Sequence, residues 1–187
     1  MPLPHFSNIR SHNELWEPIY QNLFEVNFIL PLILQAENRD PVLMMENCKK
    51  VNLPLTPAIG NASQKFKFSD REFLLTPDKT SAEVNLEFNI NQDDTNSVFV
   101  WNTLKRWYDL VWDSQTGETC YKKDIVGTIV VLQHDKKGVV IRRVVYNNCQ
   151  IKEVGGFDLD WGSNGIFEGV TANFIADYWE DVYFDNI

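Results

Sequence analysis

The chain has 187 residues, 44% hydrophobic and 23% charged, which suits one globular domain with a sizeable core and excludes a disordered or fibrous protein. Its 17 basic and 26 acidic residues leave a net charge of −9. That balance argues against gripping nucleic acid through phosphate neutralisation, but not against lying beside it without holding it.

The first 21 residues are polar with scattered aromatics and read as an arm. No basic stretch leads there into an apolar signal core, and the longest apolar run, Phe28 to Leu34, is broken by Pro31 and too short to cross a bilayer. A soluble protein made in a cytoplasm is expected. The body spans 22–180. Tyr20 to Leu34 alternates, with Phe24, Val26, Phe28 and Leu30 on one face, and predicts a half-buried strand. A turn at Asn38–Pro41 and a second strand over Val42–Val51 follow. From Asn52 to Thr80 proline and glycine punctuate a long inter-strand segment with room for one hairpin, Lys65 to Leu75. Ser81 to Asn91 returns to alternation, with Val84, Leu86, Phe88 and Ile90 apolar.

Asp94-Thr95-Asn96 offers capping side chains for one packed helix whose stripe is Val98, Trp101, Leu104, Lys105, Tyr108, Val111 and Trp112. Ile125–Gln133 and Val139–Tyr146 are β-branched runs joined by the turn residues His134 to Gly138. Two closing strands, near Cys149–Asp160 and Ile166–Glu180, flank a Gly162–Gly165 turn. Residues 181–187 form a short acidic tail. The fold class is mainly β: an antiparallel sandwich or barrel with one packed helix and a long inter-strand loop.

Enzymatic signatures are missing. The sequence holds no phosphate-binding glycine loop, HExxH, GxSxG or Cys/His ligand cluster. Cys48, Cys120 and Cys149 are scattered without a CxxC pair and read as buried thiols. His5, His12 and His134 sit in the arm and a turn, away from any nucleophile. Asp158 and Asp160 share a strand face and could hold a cation or act as acid and base, but a solvated strand end explains them more simply. Asp93-Asp94 suits a helix N-terminus. No catalytic residue, metal or cofactor is expected. The three clearest strands, 22–34, 81–91 and 166–180, contain no Lys or Arg, where the chain's average would place about three or four. Their polar positions are Glu25, Asn27, Glu83, Asn85, Glu87, Asn89, Thr171, Asn173 and Asp177. Facing the inside of a ring, they would make a wet surface that does not trap phosphate.

Several strings in order resemble the tail tube family of contractile-tailed bacteriophages. They are Asn22-Leu23-Phe24-Glu25-Val26, Cys48-Lys49, Leu53-Pro54, Leu159-Asp160-Trp161, Phe167-Glu168 and Asp177-Tyr178-Trp179-Glu180. The resemblance covers about residues 22–180, and the arm and tail depart from it. It implies a non-enzymatic subunit whose sheets join edge to edge in a six-membered ring. Rings stack inside a contractile sheath, between baseplate and terminator proteins, and genomic DNA passes without specific binding. The location implied is the virion tail. Leu53, Pro54, Lys65, Phe66, Phe68 and Phe73 would reach a neighbouring ring or subunit, and Leu15 and Trp16 would clasp one. Rival expectations are a tube of a secretion or toxin-injection machine, a small-ligand β-barrel with an apolar pocket, and a hydrolase using Asp158 and Asp160.

Overall fold

The computed structural model describes residues 21–53, 61–66, 69–74, 82–90, 99–156 and 169–184. β1 (Phe24–Ile29) buries Val26 and Phe28 and turns Glu25, Asn27 and Ile29 outward, as alternation requires. The strand does not continue to Leu34. Pro31 stands at the N-cap of a short helix, α1 (Leu32–Ala36), which buries Leu34. The predicted strand over Val42–Val51 is likewise only half strand. Pro41 opens α2 (Pro41–Glu46), and Asp40 caps it by accepting a 2.8 Å hydrogen bond from the Val42 N–H. β2 (Cys48–Val51) follows.

β3 (Asn61–Phe66) and β4 (Ser69–Leu74) pair with each other in the long segment as a hairpin that begins before the Lys65 expected. β5 (Ala82–Phe88) alternates fully, with Ala82, Val84, Leu86 and Phe88 buried. α3 (Phe99–Val111) is the principal helix. It buries Val100, Thr103, Leu104, Trp107 and Leu110. The expected stripe is therefore rotated: Trp101, Tyr108 and Val111 are half-buried at its margin and Trp112 is exposed. The apolar arc is broader than one stripe, so tertiary packing selects its centre.

A short helix, α4 (Lys122–Ile125), leads into β6 (Gly127–His134). β7 (Val140–Val154) is one strand of 15 residues, where two were expected. The β6–β7 turn closes on Asp135, whose Oδ1 accepts from the N–H groups of Lys137 and Val139 at 2.8 Å each. Gly138 there has φ +78°, a conformation glycine adopts without penalty. β8 (Val170–Ala176) and β9 (Tyr178–Tyr183) close the chain, with Asp177 between them. β9 thus runs to Tyr183, into the segment read as an acidic tail.

All pairings are antiparallel, in the order β1-β6-β7-β8-β5-β2, with β9 also on β7. Two long bent ribbons explain this arrangement. The first part of β7 pairs with β6 and with β9; its last five residues, Gln150–Val154, pair with β8 instead. The β7 bend falls at Asn148, with φ +54°. One sheet is therefore β1, β6, early β7 and β9, and the other is late β7, β8, β5 and β2. They face each other: Phe28 of β1 meets Phe88 of β5 with ring centroids 5.8 Å apart. The interior is continuous from Val26 to Ala176. Trp107 of α3 lies edge-on to Phe174 at 5.1 Å, and its indole N–H donates to the Ile125 carbonyl at 2.8 Å.

Candidate functional site

The outer faces of the two sheets differ in chemistry. On the second sheet, Asn85 stands directly opposite Asn173, Glu87 opposite Thr171 and Glu83 opposite Ile175. Directly paired residues in an antiparallel ladder project to the same face, and their neighbours Val84, Leu86, Ala172 and Phe174 are buried on the other. Five of the nine expected polar positions thus form one continuous patch: Glu83, Asn85, Glu87, Thr171 and Asn173. Asn89 is exposed just past β5 and extends the row; its N–H donates to Asn47 at 2.8 Å.

The remaining three lie elsewhere. Glu25 and Asn27 belong to the outer face of the first sheet, where Asn27 Nδ2 donates to Glu25 Oε1 at 2.8 Å. His134 Nε2 stands 3.6 Å from the same carboxylate. Beside them a shallow depression is lined by Ile29, Val130, Leu132, Val139 and Phe184 together with the cation Arg143. Asp177 sits at the bend between β8 and β9. Lys122 Nζ donates to both its oxygens at 2.7 Å and Asn148 Nδ2 to Oδ2 at 3.1 Å, and the lysine contact chiefly holds its carboxyl below the usual range.

The polar patch is not the purely acidic surface that lysine-free strands suggest. Strands flanking β5 and β8 bring in the missing cations. Lys49 of β2 donates to Glu87 at 3.2 Å, and Lys152, beside a bulge in β7, donates to Glu83 at 2.8 Å. Between these ion pairs lie the uncharged Asn85, Asn173 and Thr171. Glu153 of late β7, opposite Asn173, adds an acid beside these pairs, and the face is polar and small in its side chains. Reading each strand alone missed this, because the neutralising lysines are separated from their partners by 38 and 69 positions.

Sheet edges complete the site. In the second sheet β2 is one outer strand, and Gln150–Val154 is the other, beside Tyr108, Val111 and Trp112. Both carry register shifts. Of the expected contact residues, Leu53 is half-buried just after β2, Lys65 and Phe66 fall in β3, and Phe73 falls in β4 opposite Ala62. Leu15, Trp16, Pro54 and Phe68 lie outside the described residues, as do Asp93, Asp94, Asp158 and Asp160.

Other chemistry is sparse. Cys149 is buried and Cys48 half-buried; burial pushes each thiol up to about 12, which keeps it unreactive. Cys120, expected to be buried, is exposed in the loop after α3. Among the described residues no cluster of three metal-capable side chains occurs, and no helix is long and apolar enough to cross a membrane.

Solved structures that match this arrangement include a tube terminating cap and parts of an extracellular contractile injection system. The chain matches a chain of the anti-feeding prophage cap, the AFP tube terminating cap, with TM-score 0.62 and 12% identity over 90% of this chain and 93% of that one. It matches a chain of the PVC sheath–tube complex of an extracellular contractile injection system, in the extended state, with TM-score 0.60 and 13% identity over 93% and 97%. This is a tail-tube-like fold. A third match, in the sheath/tube terminator of the same system, has TM-score 0.56 and 13% identity over 90% and 99%. No protein-family model and no curated protein sequence matches the chain. The tail-tube-like fold thus extends over nearly the whole chain at an identity where sequence comparison is silent.

Proposed function

We propose that the chain is the structural tube subunit of a contractile bacteriophage tail. Copies close into six-membered rings, rings stack inside a contractile sheath, and the polar face of the second sheet lines a channel through which DNA passes. The observation that carries this reading is the face itself. Its Glu83 and Glu87 are paired with Lys152 and Lys49, and Asn85, Asn173 and Thr171 lie between them. Such a surface holds water and presents no unpaired row of cations to phosphate.

The ring would form by joining β2 of one subunit to late β7 of the next, which converts two open edges into one closed barrel. Backbone hydrogen bonding around the whole ring supplies stiffness, and no side-chain chemistry is required. The hairpin with Lys65, Phe66 and Phe73, together with Leu53, Pro54 and Phe68, contacts the neighbouring ring. Sheath, baseplate and terminator proteins are the partners, and the particle tail is the location.

One observation favours a second reading, a tube that delivers protein from an injection machine. A polar face whose acids are paired suits either cargo, and one structural match is part of an extracellular contractile injection system. Particles carrying nuclease-protected DNA in the channel support the first reading; particles carrying only protein support the second. The conduit itself is tested by negative-stain electron microscopy of the purified chain with its sheath and baseplate partners. Hollow tubes of six-fold rings are expected, and a monomer under every condition would contradict both readings.

A further inference from the structure

At the end of the sandwich where the two sheets part lies a cleft of about 570 Å³. Val131, Gln133, Arg142 and Val144 of β6 and β7 form one wall, and Lys49 to Leu53 form the other. Gln21 and Phe24 stand at its rim. The second wall is fixed in place: the Tyr146 hydroxyl donates to the Asn52 carbonyl at 3.3 Å, and the Asn52 N–H donates to Asn85 at 3.1 Å. The volume falls in the range, roughly 300–1,000 Å³, of pockets that enclose a compact apolar group.

Two properties of the cleft point to its occupant. Among the described residues its lining combines apolar side chains (Phe24, Val51, Leu53, Val131 and Val144) with three charged ones, the cations Lys49, Lys50 and Arg142. Lys49 and Arg142 already have carboxylate partners, Glu87 and Asp181, whereas among the described residues no acid pairs with Lys50. The complementary pattern is an apolar pair between acids. The sequence Glu14-Leu15-Trp16-Glu17 has that pattern, and only four residues separate Trp16 from Gln21 at the rim. A segment tethered so closely meets the cleft at a high effective concentration, which favours it over the same segment of another molecule.

We propose that in the free subunit this cleft is filled by the chain's own Glu14–Glu17 segment, with Leu15 and Trp16 against the half-buried Phe24, Val51 and Leu53, and an acid of the segment at Lys50. The inference is independent of ring formation and of cargo. The test is to compare backbone amide NMR spectra of the full chain with those of Trp16→Ala and Lys50→Glu, at low and high protein concentration. Lys50 is exposed, so its substitution spares the core. Trp16→Ala should shift the amides of Asn52, Gln133, Arg142 and Val144, leave those of α3 in place, and do so equally at both concentrations. Lys50→Glu should move the Leu15 and Trp16 amides towards their positions in an isolated peptide. Shifts that scale with concentration would assign the cleft to a second copy and overturn the proposal. Cleft amides unmoved by Trp16→Ala would show that the segment does not occupy it.

Discussion

Lys122 Nζ lies 2.7 Å from both carboxylate oxygens of Asp177, tying the short helix before β6 to the bend where β8 passes into β9. The same carboxylate receives Asn148 Nδ2, and the Asp177 N–H donates to Asn147 at 3.1 Å. Asn148 is itself the bend residue of β7. Both ribbons therefore turn at one place, and Asp177 binds the turn together. This gives Asp177 a structural role, distinct from the channel-facing one its alternation suggested.

Asp177→Asn should lower the thermal midpoint at neutral pH by about 1–3 °C, because the pair is substantially exposed and such pairs contribute less than about 1 kcal/mol. The folded-state carboxyl is held below its ordinary value. Its contribution is therefore present above about pH 4 and disappears as pH falls through the lowered value. Thermal melts of wild type and variant should differ at pH 7 and converge in strong acid. A difference that grew on acidification would contradict the assignment.

Arg142 and Asp181 form a more sheltered pair, with contacts of 2.9 and 2.6 Å and both side chains less than a fifth exposed. Arg142 also lies over the Tyr183 ring at 4.9 Å. Together these contacts fasten β9 to β7. Asp181→Asn should cost about 1.5–3 kcal/mol, a midpoint lower by about 3–10 °C. Amide exchange should accelerate across Tyr178–Tyr183 more than in β5. Uniform acceleration over the chain would mean that β9 is not separately held.

Gly127 admits no larger residue, since a Cβ there would lie 2.7 Å from the Ile29 carbonyl oxygen and 2.8 Å from the edge of the Trp107 indole. Gly127→Ala should destabilise by about 1–3 kcal/mol through overpacking. Adding Trp107→Phe removes the indole contact but leaves the backbone one. The double variant should therefore recover part of the loss attributed to Gly127→Ala, and full recovery or none would refute the geometry. Chemical denaturation of the single and double variants measures it.

Asn85 and Asn173 face each other at the uncharged centre of the polar patch. Replacing both with Lys adds two cations per subunit without removing a partner from the Glu83–Lys152 or Glu87–Lys49 bridges. Tubes should still assemble. DNA passage should slow at low ionic strength and recover as salt rises, since phosphate contacts weaken with salt. Unchanged ejection kinetics in intact particles would remove this face from the channel.

Much of the fold was legible because burial on one face writes itself as alternation. β5 and the β6–β7 hairpin lie where period two and turn residues put them, whereas the β3–β4 hairpin starts at Asn61, four residues before the Lys65 expected. The misreadings have specific causes. Leu32-Ile33-Leu34 continues the apolar character of β1, so a helix there resembles a strand. Pro31 and the Asp40-Pro41 pair were helix-start signals, read instead as a break and a turn. β7 was divided at Asn147-Asn148 because a bend and a strand end use the same residues. The polar patch was half legible. Its acids and amides follow from alternation within β5 and β8, whereas Lys49 and Lys152 arrive only through strand order, which no local pattern encodes.

The most direct test of the central claim is a cryo-electron microscopy reconstruction of the assembled particle, at a resolution that traces the chain. The account predicts six copies per ring, β2 of each paired to late β7 of the next, with Asn85, Asn173 and Thr171 pointing into the central channel. A reconstruction with those residues turned to the sheath or buried between subunits would contradict it.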